Sequence, residues 1–132
     1  MEGKEYQEKA LRTESNDFEA IRQRLHDEKT IRLLHVGIGM ATEAAEILDA
    51  LKKHIFYGKP LDEVNISEEI GDSQWYAAIG ADALGTTLPN IQETNINKLI
   101  ARYPAKFTEE KAENRDLAQE RKVLEEGKKN ES

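Results

Sequence analysis

Apolar residues recur along this chain at intervals of three and four, and no stretch alternates apolar with polar as a half-buried strand does. A succession of helices follows from that pattern. Asn16 and Glu19 have the capping-box spacing, and Phe18, Ile21 and Leu25 then carry a first helix to about Asp27. A second, longer helix is predicted from about Glu28 to Ile55, with Ile31, Leu34, Ile38, Ala41, Ala45, Leu48 and Ile55 as its buried stripe. The run from Phe56 to Pro60 ends it with a glycine and a proline-limited turn. A third helix starts near Leu61 or is capped at Ser67, packs through Ile70, Ala77, Ala81 and Leu84, and closes at Gly85. Pro89 opens a fourth helix to Arg102, packed through Ile96, Leu99, Ile100 and Tyr103. Beyond Pro104, Thr108 caps a last, highly charged helix from Glu109 to about Glu126, whose charges read as a solvated face. The expected fold class is all-α, a four- to five-helix bundle.

At 132 residues one domain is expected. Its predicted span is 15–126, with 1–14 and 127–132 as flexible tails, the first loosely ordered or a frayed helix. Only 38% of residues are hydrophobic and 34% are charged, which suits slender helices whose core is completed by self-association. The net charge of −7 argues against a role gripping nucleic-acid backbones, which needs a basic stripe to displace counterions. The absence of cysteine excludes disulfides, thiolate metal sites and catalytic thiols. No apolar run approaches the ~20 residues of a membrane span, and MEGKEYQEKALRTES lacks the apolar segment of a signal peptide. A cytoplasmic protein without a membrane partner is the expectation.

Chemistry enters with two carboxylate pairs, Glu43/Glu46 and Glu69/Asp72, set among small and apolar residues. Residues three apart on a helix share a face, so two such helices side by side make a four-carboxylate cluster. Acidic pairs at this spacing also occur at Glu2/Glu5, Glu14/Asp17 and Glu110/Glu113, so spacing alone is a weak signal. The apolar setting separates the chosen pairs. Two like charges about 4 Å apart repel by about 4 kcal/mol at an effective dielectric near 20, so the cluster calls for a cation or for protonation. Hard oxygen donors favour Mg²⁺, with Mn²⁺ able to substitute. On the fourth helix Asn95, Lys98 and Arg102 share a polar face suited to anions, and Lys53 shares a face with Glu46. Trp75, Tyr76, Phe56 and Tyr57 are more economically read as core than as a platform for a base, and His35 as a packing residue.

With these residues in place the chain resembles the MazG-like all-α nucleoside triphosphate pyrophosphohydrolases. That family's signature is E-x-x-E, a variable gap, then E-x-x-D; here it reads Glu43-Ala-Ala-Glu46, residues 47 to 68, then Glu69-Ile-Gly-Asp72. The likeness continues through SEEIGDSQWYAAIGADALG to NINKLIARYPAKF, over roughly residues 16 to 116. It implies hydrolysis of a nucleoside or deoxynucleoside triphosphate between the α- and β-phosphates, giving monophosphate and pyrophosphate in control of nucleotide pools. It also implies that Glu43, Glu46, Glu69 and Asp72 are metal ligands, and that Lys98 and Arg102, with Asn95 less securely, lie near the triphosphate. Glu43 and Glu46 are the candidate catalytic carboxylates, Glu43 being the choice for general base. Lys53 is a further phosphate contact by geometry, a solvent-exposed lysine being an equal alternative. A di-iron bundle is disfavoured because no glutamate stands three residues before His26, His35 or His54. A noncatalytic nucleotide-binding protein or helical adaptor is the remaining alternative.

Overall fold

The computed structural model describes residues 3–129, and these contain helices and connecting turns but no strand. The helices are α1 (Gly3–Leu11), α2 (Phe18–Leu25), α3 (Glu28–Tyr57), α4 (Glu63–Ala83), α5 (Leu88–Arg102), α6 (Glu109–Glu113) and α7 (Leu117–Lys129). The all-α class is therefore observed. The chain clusters into two compact units that divide between Ile31 and Arg32. In the first unit, α1 occupies the stretch expected to be loose or a frayed helix, with all of its residues exposed. α7 likewise extends to Lys129 into the expected C-terminal tail, whose residues 130–132 lie outside the described residues. No described helix is long and apolar enough to cross a membrane.

Local chemistry explains most helix ends. α2 is capped by Asp17, whose side chain accepts from Ala20 N–H, so the cap is one residue beyond the Asn16 expected from the capping box. Asp62, rather than Ser67, caps α4 by accepting from Asn65 N–H, a contact worth about 1 kcal/mol in general. α3 ends at Gly58, at φ 64°, with the Lys59 N–H bonded back to the Lys53 carbonyl. The α4–α5 corner turns at Gly85, at φ 71°, and Thr87 caps α5. The single tail helix expected over Glu109–Glu126 is two helices. Asn114 closes α6 with its backbone N–H bonded to the Glu110 carbonyl, and Asp116 accepts from Gln119 N–H to start α7, so a short polar side chain begins a new helix in place of continuing the old one.

In the second unit, α3 and α4 run antiparallel in one register. Arg32 meets Asp82 at 2.6 Å, Val36 lies against Gly80, and the Tyr76 ring covers Gly39, so one number falls as the other climbs. The side of α3 facing α4 is marked by buried Gly39 and Ala50 and half-buried Val36, Glu43 and Ile47. This corrects the expected buried stripe. Leu34, Ile38, Leu48 and Ile55 are 51%, 55%, 65% and 65% exposed, and Ile31 is exposed too. Ile96 and Ile100 on α5 are likewise exposed, leaving Leu99 and Tyr103 half-buried. The fully buried apolar side chains among the described residues are all alanines: Ala50, Ala81 and Ala83.

α5 and α7 make the closest helix pair, also antiparallel. Gly127 sits opposite Thr94, where a Cβ would meet the threonine Oγ1 at 2.4 Å. Toward the other end of the pair Arg102 meets Glu120. The absence of a side chain at Gly127 thus permits the close approach that lets this second contact form.

Candidate active site

Two helices deliver the acidic cluster. α3 presents Glu43, and α4 presents Glu69 and Asp72 from one face, three residues apart. One carboxylate oxygen from each of the three lies within 4.8 Å of the others. Glu69 is 7% exposed, Glu43 half-buried and Asp72 exposed, so the cluster grades from the helix contact out to solvent. Glu46, the fourth expected ligand, is exposed and stands outside this group of three.

A neighbour missed from sequence holds the buried member. Asn65, one turn before Glu69 on α4, donates from Nδ2 to Glu69 Oε1 at 2.6 Å. The signal was available: an asparagine four residues before a glutamate, on the same face and inside the first turn. A hydrogen bond shared with Glu69 pushes the Glu43 carboxyl above the ordinary carboxylate range. Desolvation and the charges of Glu69, Asp72 and Glu46 act in the same direction. The same crowding of negative charge that favours a proton on Glu43 would favour a cation among the three carboxylates. Its donors are all carboxylate oxygens, the set preferred by Mg²⁺ and Mn²⁺, and they are close enough to share one ion.

Aromatic side chains follow one turn along α4. Tyr76 is edge-on to His35 of α3, with ring centroids 5.6 Å apart, and edge-on to Trp75 at 4.9 Å. His35 is thus a packing partner, as expected. Trp75 is 57% exposed, and Phe56 and Tyr57 at the end of α3 are 76% and 63% exposed, so none of these three is core in the single chain.

The expected phosphate contacts divide into engaged and open groups. Lys53 is paired with Asp49 at 2.5 Å, with Lys52 on the same carboxylate at 3.0 Å. Arg102 is held by Glu120 through two bonds. Lys98 is half-buried with no ion pair among the described residues, and Asn95 is exposed on the same helix. Counted from the Gly85 corner, Lys98 stands about as far along α5 as Asp72 does along α4, and Arg102 about as far as Glu69. A cavity of about 370 Å³ lies elsewhere, lined by Leu84, Ile91, Thr94, Leu124 and Lys128 among others, and none of the expected site residues lines it.

No curated protein and no solved structure matches the chain. The family model of the MazG nucleotide pyrophosphohydrolase domain matches residues 34–107, a span that holds both E-x-x-[ED] pairs, the aromatic group and all of α5. On that match, which covers more than half of its length, the chain belongs to the MazG nucleotide pyrophosphohydrolase family.

Proposed function

We propose that the chain hydrolyses a nucleoside or deoxynucleoside triphosphate between its α- and β-phosphates, releasing monophosphate and pyrophosphate, with Mg²⁺ as cofactor. The observation that carries this reading is the convergence of Glu43, Glu69 and Asp72 from two helices within 4.8 Å. These three residues would hold the ion, and Glu46, one turn from Glu43, is close enough in sequence to join on a side-chain rotation. When bound, a divalent cation supplies Lewis acidity toward the α-phosphate and eases deprotonation of a neighbouring water.

The chain's own residues account for the rest. In this reading Glu43, a half-buried carboxylate of the cluster that is ionised when the cation is bound, accepts the proton of the attacking water. Glu69 is fixed by Asn65 and cannot swing to solvent without leaving that amide's donor unpaired. As water attacks the α-phosphorus, the bond to the bridging oxygen of the β-phosphate breaks. Lys98 and Arg102 place positive charge where negative charge collects on the departing pyrophosphate. Lys53 joins them only by leaving Asp49. Trp75, exposed beside Tyr76, offers a stacking face for the base.

The uncovered apolar stripe of α3 supports a homodimer or homotetramer as the working form, because Leu34, Ile38, Leu48 and Ile55 gain burial only from another chain. The substrate is a free nucleotide in the cytoplasm, not a nucleic-acid polymer, in keeping with the net charge of −7.

The test is to incubate purified protein with each nucleoside and deoxynucleoside triphosphate, with Mg²⁺ or with chelator, and to identify the products. Metal-dependent monophosphate and pyrophosphate are expected. Diphosphate and phosphate would refute the cleavage position, and no turnover would favour a nucleotide-binding protein without catalysis.

A further inference from the structure

Arg102 lies at the end of α5, yet its guanidinium is held by the tail helix. Its Nε donates to Glu120 Oε1 at 2.6 Å and its Nη2 donates to Oε2 at 2.5 Å, a two-pronged match of fork to carboxylate. Glu120 is 5% exposed and the Arg102 side chain 15%, so this pair is among the least solvated charges of the chain. Arg115, just before α7, adds a second guanidinium to the same carboxylate, with Nη2 donating to Oε2 at 2.6 Å. Two arginines on one glutamate leave the trio with a net positive charge. The Tyr103 ring lies 5.6 Å from the Arg102 guanidinium carbon and limits its other movements. Arg102 and Glu120 border a hollow of about 200 Å³ that Lys111, Asn114 and Asp116 also line.

We propose that Glu120 is a positioning residue of the phosphate site: together with a side-chain bond to Tyr103 it fixes the Arg102 guanidinium in one orientation, so that the N–H donors these two partners do not use meet a phosphate oxygen. This rests on the reading of Arg102 as a triphosphate contact. Glu120 lies outside the span that matches the family, so the tail helix adds a part to the site that the matched domain does not itself contain. The two arginines hold the Glu120 carboxyl down to about 2, so it stays ionised at any pH at which nucleotides are hydrolysed under ordinary conditions. An arginine so held presents its remaining donors without first being ordered, which is the general source of tight, oriented phosphate recognition. A glutamate serving only to pin α7 would need one arginine partner, not an excess of cations.

The experiment compares wild type, Glu120→Gln, Arg102→Ala and the double variant by KM and kcat for a nucleoside triphosphate, by calorimetric binding of Mg²⁺–tripolyphosphate, and by melting temperature. Glu120→Gln is expected to raise KM and weaken tripolyphosphate about 10-fold, with kcat less affected. In the Arg102→Ala background the same change should have no further effect on either. Glu120→Asp keeps the charge but draws the guanidinium back by about one methylene, and should move KM the same way with a melting temperature near wild type; it carries the test if Glu120→Gln does not fold. A lowered melting temperature with unchanged KM and tripolyphosphate binding would overturn the proposal and leave the reaction standing. So would an equal loss in the Arg102→Ala background. Absence of turnover by wild type defeats the reaction reading by itself; tripolyphosphate binding then still reads Arg102 and Glu120, and no binding overturns the proposal as well.

Discussion

The ring of Tyr76 lies directly over the backbone of α3 at Gly39, where a Cβ would come within 2.2 Å of the ring. Helix α4 therefore approaches α3 through a gap that only glycine leaves, one turn before Glu43. Gly39→Ala gains about 1 kcal/mol of helix propensity but forces the ring aside, a change that costs about 1–3 kcal/mol in packed sites. A net loss of about 1 kcal/mol is expected, with a larger fall in activity because Glu43 and Asp72 are separated. Thermal melts and turnover measured together check this; an alanine variant more stable than wild type and fully active would show that the ring contact does not set the spacing.

Asn65→Ala removes the donor that orients Glu69. Groups that orient metal-binding carboxylates commonly contribute about 10- to 100-fold in affinity. The half-saturating Mg²⁺ concentration for turnover is expected to rise about 10-fold while kcat at saturating Mg²⁺ changes little. A metal titration of the activity decides it.

Glu43→Gln and Asp72→Asn keep shape and remove charge. Each is expected to lower kcat by at least about 100-fold, on the scale of lost general-base catalysis or a lost charge at the reacting centre. Helicity by circular dichroism should be unchanged. Glu46→Gln tests the outlying carboxylate: a loss as large as that of Glu43→Gln means that it enters the cluster when metal binds, and retained activity means that three ligands suffice.

Two carboxyl groups pull stability in opposite directions with pH. Glu43 is raised, so the stability tied to its protonated form is present below its ordinary 4.5 and is lost as pH rises through the raised value. Glu120 is depressed to about 2, so its contribution is present above 4.5 and is lost as pH falls toward 2. Metal-free protein should thus lose stability as pH rises through the raised Glu43 value and again as pH falls toward 2. Mg²⁺ should offset the loss on the rising side, raising the melting temperature by several degrees at pH 7.5 and by less at pH 5. Melts with and without chelator across that range would expose an error if the Mg²⁺ effect were the same at both.

The helices were legible because their caps and periods are local: Thr108 sits beside the backbone group that it satisfies, whereas Asp62 and Thr87, which are just as local, were passed over in favour of Ser67 and Pro89. Of the four carboxylates singled out, Glu43, Glu69 and Asp72 lie together and Glu46 does not: spacing of three gives a shared face on one helix, but which face meets the other helix is set by tertiary packing. What misled was α3, which is apolar on two sides. Val36 and Ile47 face α4, and Leu34, Ile38 and Leu48 do not, and periodicity cannot say which side meets the neighbouring helix of the same chain. Glu120 was invisible for a different reason. It is one glutamate in a charged run; Arg115, five residues before it, looks like any other charge there, and Arg102, the partner that buries it, stands 18 residues away on another helix. Asn114 and Asp116, which divide the tail, were read over because a strong charge pattern hid two ordinary helix breakers.

The single register of α3 against α4 limits where this chain can change length. One residue inserted between Glu43 and the end of α3 would turn Glu43 about 100° relative to everything after it, and a deletion would turn it the other way. The same holds between Asp62 and Glu69. Length variation that spares the carboxylates is therefore confined to the connection from Gly58 to Leu61, where no helical turn is counted. The variable gap in the family's acidic signature has its physical home in that short corner, or in additions of whole turns to both helices at once.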